Sequence, residues 1–141
     1  MCENSVLQNK MIFSKPTKDW KRTICIDFDG VIAEYNGWKG PDFFGTPKEG
    51  AKKFLVKAKS IGFKIVVFTI RPKERIFEWF KEHHLHLPDD ITNTKIPAVV
   101  YIDDRGLKFH GNFDSLLEEV RTYKTYWEVE NFLQISLIRI K

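Results

Sequence analysis

The sequence predicts an α/β fold with a parallel sheet, because strand patterns and helix patterns alternate along the chain. The strand patterns are apolar and β-branched on both faces, as is typical of central parallel strands that are covered on each side. Crossovers between parallel strands are right-handed. We therefore expect a three-layer, Rossmann-like sheet with helices on both faces and with all strand carboxyl ends along one edge, where ligands bind.

The pattern of apolar residues divides the 141-residue chain into three parts. Residues 1–20 show no sustained apolar period and are interpreted as an N-terminal tail. Residues 21–122 contain the strand and helix patterns just described and form the predicted domain. The apolar residues of 123–141 fit a last strand as well as a helix, so the structure of this C-terminal extension stays open.

Composition and charge narrow the class of protein. No apolar run approaches the roughly 18 residues that span a membrane, and the first twenty residues hold no continuous apolar stretch. Together with only 2 cysteines, this predicts a cytoplasmic protein. The net charge of +4 is modest and is spread along the chain, so a phosphorylated small molecule or nucleotide is a more favoured partner than nucleic acid.

The first strand and the first helix each have clear signals. The apolar run TICIDF, residues 23–28, predicts a buried strand. The first helix is predicted from Thr46 as the N-cap, Pro47 at the first helical position and Glu49 closing a capping box. Its apolar residues follow at helical spacing: Ala51, Phe54, Leu55, Ala58 and Ile61.

Two more strands and two more helices follow. Residues 63–68 predict the second strand and residues 98–102 the third. Pro72 opens the second helix, and a short third helix begins at about Asp114. The residues expected to face inward are Ile76, Phe77 and Phe80 in the second helix and Leu116, Leu117 and Val120 in the third.

Polar side chains follow each predicted strand. Taken singly they have ordinary explanations, such as an Asp-Gly turn, but their joint placement at the ends of parallel strands is not expected from structure alone. They are Asp27 and Asp29 at the end of the first strand, Thr69 and Arg71 at the end of the second, Asp103 and Asp104 at the end of the third, and Lys95 a few residues before the third.

These residue types together predict a phosphate site that contains a metal ion. Clustered carboxylates repel one another, so a cation is needed among them. Mg²⁺ is the natural candidate, because it takes oxygen ligands and is usually held by one or two carboxylates together with a substrate phosphate. Lys95 adds a fixed positive charge and Thr69 a hydroxyl donor, both suited to phosphoryl oxygens.

At this point the chain resembles the haloacid dehalogenase (HAD) superfamily of phosphotransferases. The first motif of that family, Asp-x-Asp-Gly-Val/Thr, is matched by DFDGV at 27–31, and the second by VVFT at 66–69. The third and fourth motifs are matched by Lys95 and by the acidic pair Asp103 and Asp104 in TNTKIPAVVYIDD. The resemblance covers about residues 22–120 and implies that 21–122 form a HAD-like catalytic domain.

The resemblance implies a Mg²⁺-dependent phosphatase that works through an aspartyl-phosphate. Asp27 would be the nucleophile, and Asp29 would protonate the leaving alcohol and then activate water. Thr69 and Lys95 would hold the transferring phosphoryl group. The implied ligands of Mg²⁺ are the Asp27 carboxylate, the main-chain carbonyl of Asp29, Asp103 and, directly or through water, Asp104.

Substrate choice in HAD phosphatases depends largely on cap insertions, and here only a minimal cap loop fits. The segment YNGWKGPDFF, residues 35–44, predicts a small flap over an open site that a second subunit could close. Its aromatic residues, Trp38 among them, either stack on a substrate ring or pack the flap onto the sheet edge. Arg71 and Arg105 are candidates for binding a second phosphate or a carboxylate of the substrate.

Two other functions stay open. A receiver-like phospho-acceptor domain also places acidic residues, Thr and Lys around Mg²⁺, but its acceptor Asp ends the third strand, whereas Asp27 and Asp29 end the first strand here. A catalytically idle HAD-like binding module would keep the scaffold and use the apolar C-terminal extension as its interface. The complete set of motifs disfavours this second alternative.

Overall fold

A computed structural model of the protein describes residues 18–139 and contains a sheet of four parallel strands. The predicted α/β class with a parallel sheet is therefore confirmed. A short 3-10 helix, Lys18–Arg22, precedes the sheet. The strands are β1 (Thr23–Asp27), β2 (Lys64–Phe68), β3 (Asp90–Thr92) and β4 (Val100–Ile102), and the helices are α1 (Ala51–Ser60), α2 (Lys73–Glu82), α3 (Phe113–Thr122) and α4 (Tyr126–Arg139).

The strands lie in the order β3-β2-β1-β4, so β1 is central and has β2 and β4 as neighbours. In register, Asp27 of β1 pairs with Phe68 of β2, and Ile26 pairs with Ile102 of β4. The order reverses at β1, which places the end of this strand at the switch point where open parallel sheets bind ligands. β3 was not predicted, because a strand of three residues is too short to show a period.

One face of the sheet carries the main hydrophobic core. Crossovers from β1 to β2 and from β2 to β3 run in the same direction, so α1 and α2 cover the same face. The large residues buried there come from the strands β1 to β3, from α1 and α2, and from the loops after β1 and α2: Ile24, Ile26, Phe28, Ile32, Leu55, Ile65, Val67, Ile76, Trp79, Phe80, Leu85 and Ile91.

The opposite face differs from the predicted three-layer arrangement. The crossover from β3 back to β4 is the one that would bring a helix to this face, but residues 93–99 contain no helix. Cys25 and Val66 point away from the main core and are nevertheless buried. The connection from β3 to β4 is therefore a loop and places no helix on this face. The cavity described below lies against the same face, since Cys25 is one of its lining residues.

The start of α1 also differs from the prediction. Gly50, with a φ of 83°, occupies the N-cap position, and the predicted N-cap Thr46 lies outside the helix. The backbone around Thr46 is used elsewhere, since its carbonyl accepts a hydrogen bond of 2.7 Å from the N–H of Glu34 and the N–H of Lys48 donates to Ile32 at 2.8 Å. These bonds join the two ends of the flap, and the capping box is not formed.

The second helix was predicted correctly. Pro72 is the N-cap of α2, Ile76 and Phe80 are fully buried, and Phe77 is partly buried against the core. Trp79, which was not among the predicted core residues, is buried and donates a hydrogen bond of 2.9 Å from its ring N–H to the carbonyl of Gly45. This bond ties α2 to the flap.

α3 forms where predicted, but its apolar face is not buried. The side chains of Phe113, Leu117 and Val120 are 74%, 64% and 57% exposed. The prediction that this helix faces a core is therefore wrong for Leu117 and Val120, whereas Leu116 is partly buried. Within residues 18–139, no residue of α3 is fully buried. Asn112 caps the helix by accepting a hydrogen bond of 3.0 Å from the N–H of Ser115.

The C-terminal extension, for which a strand and a helix were both open, forms α4. Within the described part of the chain, this and the other helices are all too short or too polar to cross a membrane. The extension returns to the sheet edge, because the ring of Trp127 packs at 5.1 Å on that of Tyr35 in the flap. The division of the chain at residues 20 and 122 remains a prediction.

Candidate functional site

Three carboxylates converge at the end of the sheet. Asp27 ends β1, and Asp103 and Asp104 directly follow its neighbour β4. One oxygen from each of the three lies within 4.8 Å of the others. The proximity predicted from strand order is therefore present in the structure.

Asp104 is a nearly buried member of this cluster. Its side chain is 9% exposed, and among the described residues neither of its carboxylate oxygens has a hydrogen-bond partner. The nearest cationic atom is Nε of Arg105, 3.8 Å from Oδ1. A buried carboxylate that accepts no hydrogen bond is costly. Three carboxylates at this spacing supply the oxygen donors that Mg²⁺ prefers. The residues present therefore fit such an ion.

Gly30 makes room for the Asp104 carboxylate. Its φ is +89°, and a Cβ atom at this position would lie 2.3 Å from Oδ2 of Asp104. Any side chain here would push the carboxylate aside, so the glycine of DFDGV serves the acidic cluster as well as the turn.

Burial is the main electrostatic influence on Asp27. It raises the pKa of Asp27 from 3.8 to about 7; the Phe28 N–H, donating to Oδ1 at 2.8 Å, opposes this shift, and the charges of Asp103 and Asp104 add to it. Burial likewise raises the pKa of Asp104, against the influence of Arg105. In the absence of a cation, the cluster resists full ionisation.

This shift predicts how Asp27 affects stability at different pH values. A carboxyl that holds its proton more tightly in the folded chain stabilises the fold below its unfolded pKa of 3.8, and this contribution is lost as the pH rises to about 7. In EDTA at pH 8, Asp27→Asn should therefore be more stable than the wild type by on the order of 2 kcal/mol, after discounting for partial exposure. Thermal unfolding at pH 8 and pH 4 checks this, because the difference should shrink at the lower pH.

The second carboxylate of the DFDG segment has a different environment. Asp29 forms a two-point ion pair with Arg71, in which Nε donates to Oδ2 at 2.8 Å and Nη2 donates to Oδ1 at 3.0 Å. The side chain of Arg71 is 3% exposed. The Asp29 carboxylate is thus held apart from the cluster of Asp27, Asp103 and Asp104.

Arg71 also holds the flap. Its Nη1 faces the carbonyls of Gly40 and Pro41 at 3.5 and 3.2 Å, and its guanidinium carbon lies 4.9 Å from the Trp38 ring and 4.6 Å from the Phe44 ring. Phe44 in turn contacts Phe28 edge-on at 6.2 Å. Phe44 therefore packs the flap onto the sheet edge. Trp38 is 60% exposed, and its stacking on a substrate ring stays a prediction.

The two predicted phosphate-binding residues have different surroundings. Thr69 is buried beyond the end of β2, and its Oγ1 accepts a hydrogen bond of 3.1 Å from the N–H of Arg71. Lys95 lines a cavity of about 520 Å³ together with Asp27 and Asp103, and its Nζ lies 4.9 Å from the ring centre of Tyr101. Thr69 does not line this cavity. Lys95 therefore shares this cavity with Asp27 and Asp103, whereas Thr69 lies at the end of the neighbouring strand.

The aromatic residues that reach the site from the C-terminal extension were not among the predicted site residues. The hydroxyl of Tyr123 donates to the carbonyl of Asp104 at 3.0 Å, and the hydroxyl of Tyr126 donates to the carbonyl of Tyr35. The ring of Trp127 lies 5.8 Å from the guanidinium of Arg105. The closely spaced aromatics at 123–127 are the only signal that could have drawn attention to this contact.

Comparison with known proteins gives information on the fold and none on the activity. No protein-family model matches the chain, and no curated protein matches it. A solved structure described as that of a conserved protein from Bacteroides thetaiotaomicron is similar, with a TM-score of 0.51 and 20% sequence identity over 77% of this chain and 97% of that one. At this identity the similarity supports an α/β Rossmann-like fold and carries no activity.

Proposed function

We propose that the protein is a HAD-like, Mg²⁺-dependent phosphatase that hydrolyses a phosphate monoester through an aspartyl-phosphate. The observation that supports it most is the buried carboxylate of Asp104, which lies beside Asp27 and Asp103 and accepts no hydrogen bond from the described residues. A cation that neutralises this cluster would also bind the phosphate of a substrate. When bound, Mg²⁺ would supply positive charge to the phosphoryl oxygens as they transfer.

In the first step, Asp27 attacks phosphorus. The Phe28 N–H fixes its Oδ1, and Oδ2 is the oxygen that we assign to the attack. As the new bond forms, the bond from phosphorus to the leaving oxygen breaks, and its electron pair stays on that oxygen. Asp29, protonated for this step while both of its oxygens still accept from Arg71, gives its proton to the same oxygen. Lys95 pairs with the negative phosphoryl oxygens.

In the second step, water releases the phosphate. The Asp29 carboxylate takes a proton from the water, whose oxygen attacks phosphorus. The bond between phosphorus and Asp27 breaks, and its electron pair returns to the carboxylate. Asp29 then releases this proton to solvent, and both aspartates are back in their starting states. Thr69, whose Oγ1 already accepts from the N–H of Arg71, keeps its own hydroxyl hydrogen to donate to a phosphoryl oxygen.

The favoured substrate is a phosphorylated small molecule or a nucleotide in the cytoplasm. The cavity beside Asp27 has a volume of about 520 Å³ and carries Lys108 as well as Lys95, together with apolar residues such as Leu107. Such a lining suits an anionic group attached to an apolar or aromatic body. Nucleic acid is less favoured, and a second copy of the chain could cover the open site.

One observation favours the alternative of a catalytically idle binding module. The exposed apolar face of α3, formed by Phe113, Leu117 and Val120, is the kind of surface that binds another protein. An enzyme can carry such a surface too. The presence or absence of turnover therefore decides between the two functions.

The proposed function is tested by assaying a panel of phosphate esters that spans nucleotides, sugar phosphates and aryl phosphates, in Mg²⁺ and in EDTA. We expect hydrolysis only in Mg²⁺. Lys95→Met should lower kcat/KM by about 10²-fold, since it removes one charged partner of the phosphoryl oxygens. Lys52→Met, on the exposed side of α1, is the matched control and should leave the rate unchanged. Failure of the wild type to hydrolyse any ester would favour the binding module.

A further inference from the structure

In the described part of the chain, Arg71 is a buried charged residue whose guanidinium is fully used in hydrogen bonds. It is 3% exposed, and all three of its guanidinium nitrogens face oxygen acceptors. Two of them face the Asp29 carboxylate and the third faces the carbonyls of the flap. A substrate anion could bind this guanidinium only by displacing one of these partners.

The two-point pairing fixes the Asp29 carboxylate in rotation as well as in position. A planar guanidinium and a planar carboxylate with two parallel hydrogen bonds define one orientation, whereas a single bond would leave the carboxylate free to turn. Proton transfer depends strongly on such orientation, because donor and acceptor must lie within hydrogen-bond distance in the transition state. The residue that holds Asp29 therefore affects the step in which Asp29 moves a proton.

The same guanidinium is enclosed by the flap. Trp38 and Phe44 place their rings 4.9 and 4.6 Å from it, and Gly40 and Pro41 direct their carbonyls towards it. The position of the flap and the orientation of Asp29 are thus set by one group. Neither contact would be visible in the sequence, since Arg71 and Asp29 lie 42 residues apart.

We propose that Arg71 is a positioning residue, which orients the Asp29 carboxyl for proton transfer and couples it to the flap, and does not bind the substrate. The proposal rests on the proposed phosphatase function. It assigns Arg71 a role different from the substrate contact that the sequence suggested. If this role is right, loss of Arg71 should lower kcat/KM most for esters whose leaving group needs a proton.

The experiment compares phenyl phosphate with p-nitrophenyl phosphate, two esters of nearly the same shape. Phenolate is the more basic leaving group and depends on the acid, whereas p-nitrophenolate leaves readily without a proton. For Arg71→Met we expect kcat/KM to fall about 10²-fold with phenyl phosphate and by about tenfold or less with p-nitrophenyl phosphate. The parameter kcat/KM is used because it excludes the later, shared hydrolysis of the aspartyl-phosphate.

Two further variants separate positioning from a general loss of structure. Arg75→Met is the matched control, since Arg75 also contacts the flap, through Asp42 at 3.2 Å and Phe44 at 5.4 Å, but has no contact with Asp29. For Arg75→Met, any change in kcat/KM should be the same with phenyl phosphate and with p-nitrophenyl phosphate. Arg71→Lys keeps a charge but cannot form the two-point pair, so it should show the same selective loss even if Arg71→Met does not fold.

The double variant of Asp29→Asn and Arg71→Met gives an independent check. If Arg71 acts through Asp29, the double variant should be no slower with phenyl phosphate than Asp29→Asn alone. Equal losses for both esters, or multiplied losses in the double variant, would overturn the positioning role while leaving the phosphatase intact. A wild type that hydrolyses neither ester would instead overturn the proposed function, and the positioning role with it.

Discussion

Asp27→Asn is expected to lower phosphatase activity by on the order of 10⁴-fold or more, because an amide cannot attack phosphorus and no other carboxylate lies in its place at the end of β1. The substitution keeps the size of the side chain and the oxygen that accepts from the Phe28 N–H. Steady-state rates with the best ester of the panel measure the effect. Thermal unfolding verifies that the variant is folded.

The control for this substitution is Asp114→Asn, which changes an exposed aspartate in the first turn of α3. It should leave activity at the wild-type level. If Asp27→Asn retained wild-type activity, the nucleophile would be wrongly assigned. If it lost activity but the wild type accumulated no acid-stable, hydroxylamine-sensitive phosphate, Asp27 would serve the metal site and not the covalent step.

Gly30→Ala is expected to abolish stabilisation by Mg²⁺ and to lower activity by about 10²-fold or more, because the new Cβ would lie 2.3 Å from Oδ2 of Asp104 and displace that carboxylate. The left-handed backbone adds a general cost of about 1–2 kcal/mol in stability. The shift of the unfolding temperature caused by Mg²⁺, measured for variant and wild type, isolates the effect on the acidic cluster.

Gly111→Ala is a closely matched control for the backbone term. Gly111 has a φ of +93°, and nothing lies within 4 Å of a Cβ placed there. It should show a similar loss of stability and a normal response to Mg²⁺. Should both glycine variants respond to Mg²⁺ like the wild type, the acidic cluster would not be the place where the cation binds.

The strands and the acidic cluster could be predicted because they depend on patterns local to the sequence. Apolar runs identified β1, β2 and β4, and parallel pairing then placed Asp27 next to Asp103 and Asp104. Helix boundaries were predicted less well, because a residue with the local signal of a cap can be used in a tertiary contact instead. Thr46 has the residue type of an N-cap, but its backbone pairs with Glu34 across the flap, and the helix begins later.

The surroundings of the cluster could not be predicted, because side chains from distant segments create them. Arg71 looked like a residue that binds substrate, and only the fold shows it enclosed between Asp29 and the flap. Tyr123 and Trp127 lie in an extension for which a strand and a helix fitted equally well. The burial of Asp104 likewise depends on neighbours that have no regular spacing from it.

The placement of the acidic pair after β4 has a consequence for how the protein loses its site. β4 has three residues, pairs with β1 alone, and exposes Val100 and Tyr101 to solvent. Short edge strands open in local fluctuations that leave the central strands intact. Asp27 belongs to the most persistent part of the sheet, whereas Asp103 and Asp104 depend on its least protected strand. Asp103 and Asp104 can therefore separate from Asp27 while the rest of the fold stays intact. A cation bound to all three carboxylates would stabilise the pairing of β4 with β1, because it binds only the paired arrangement.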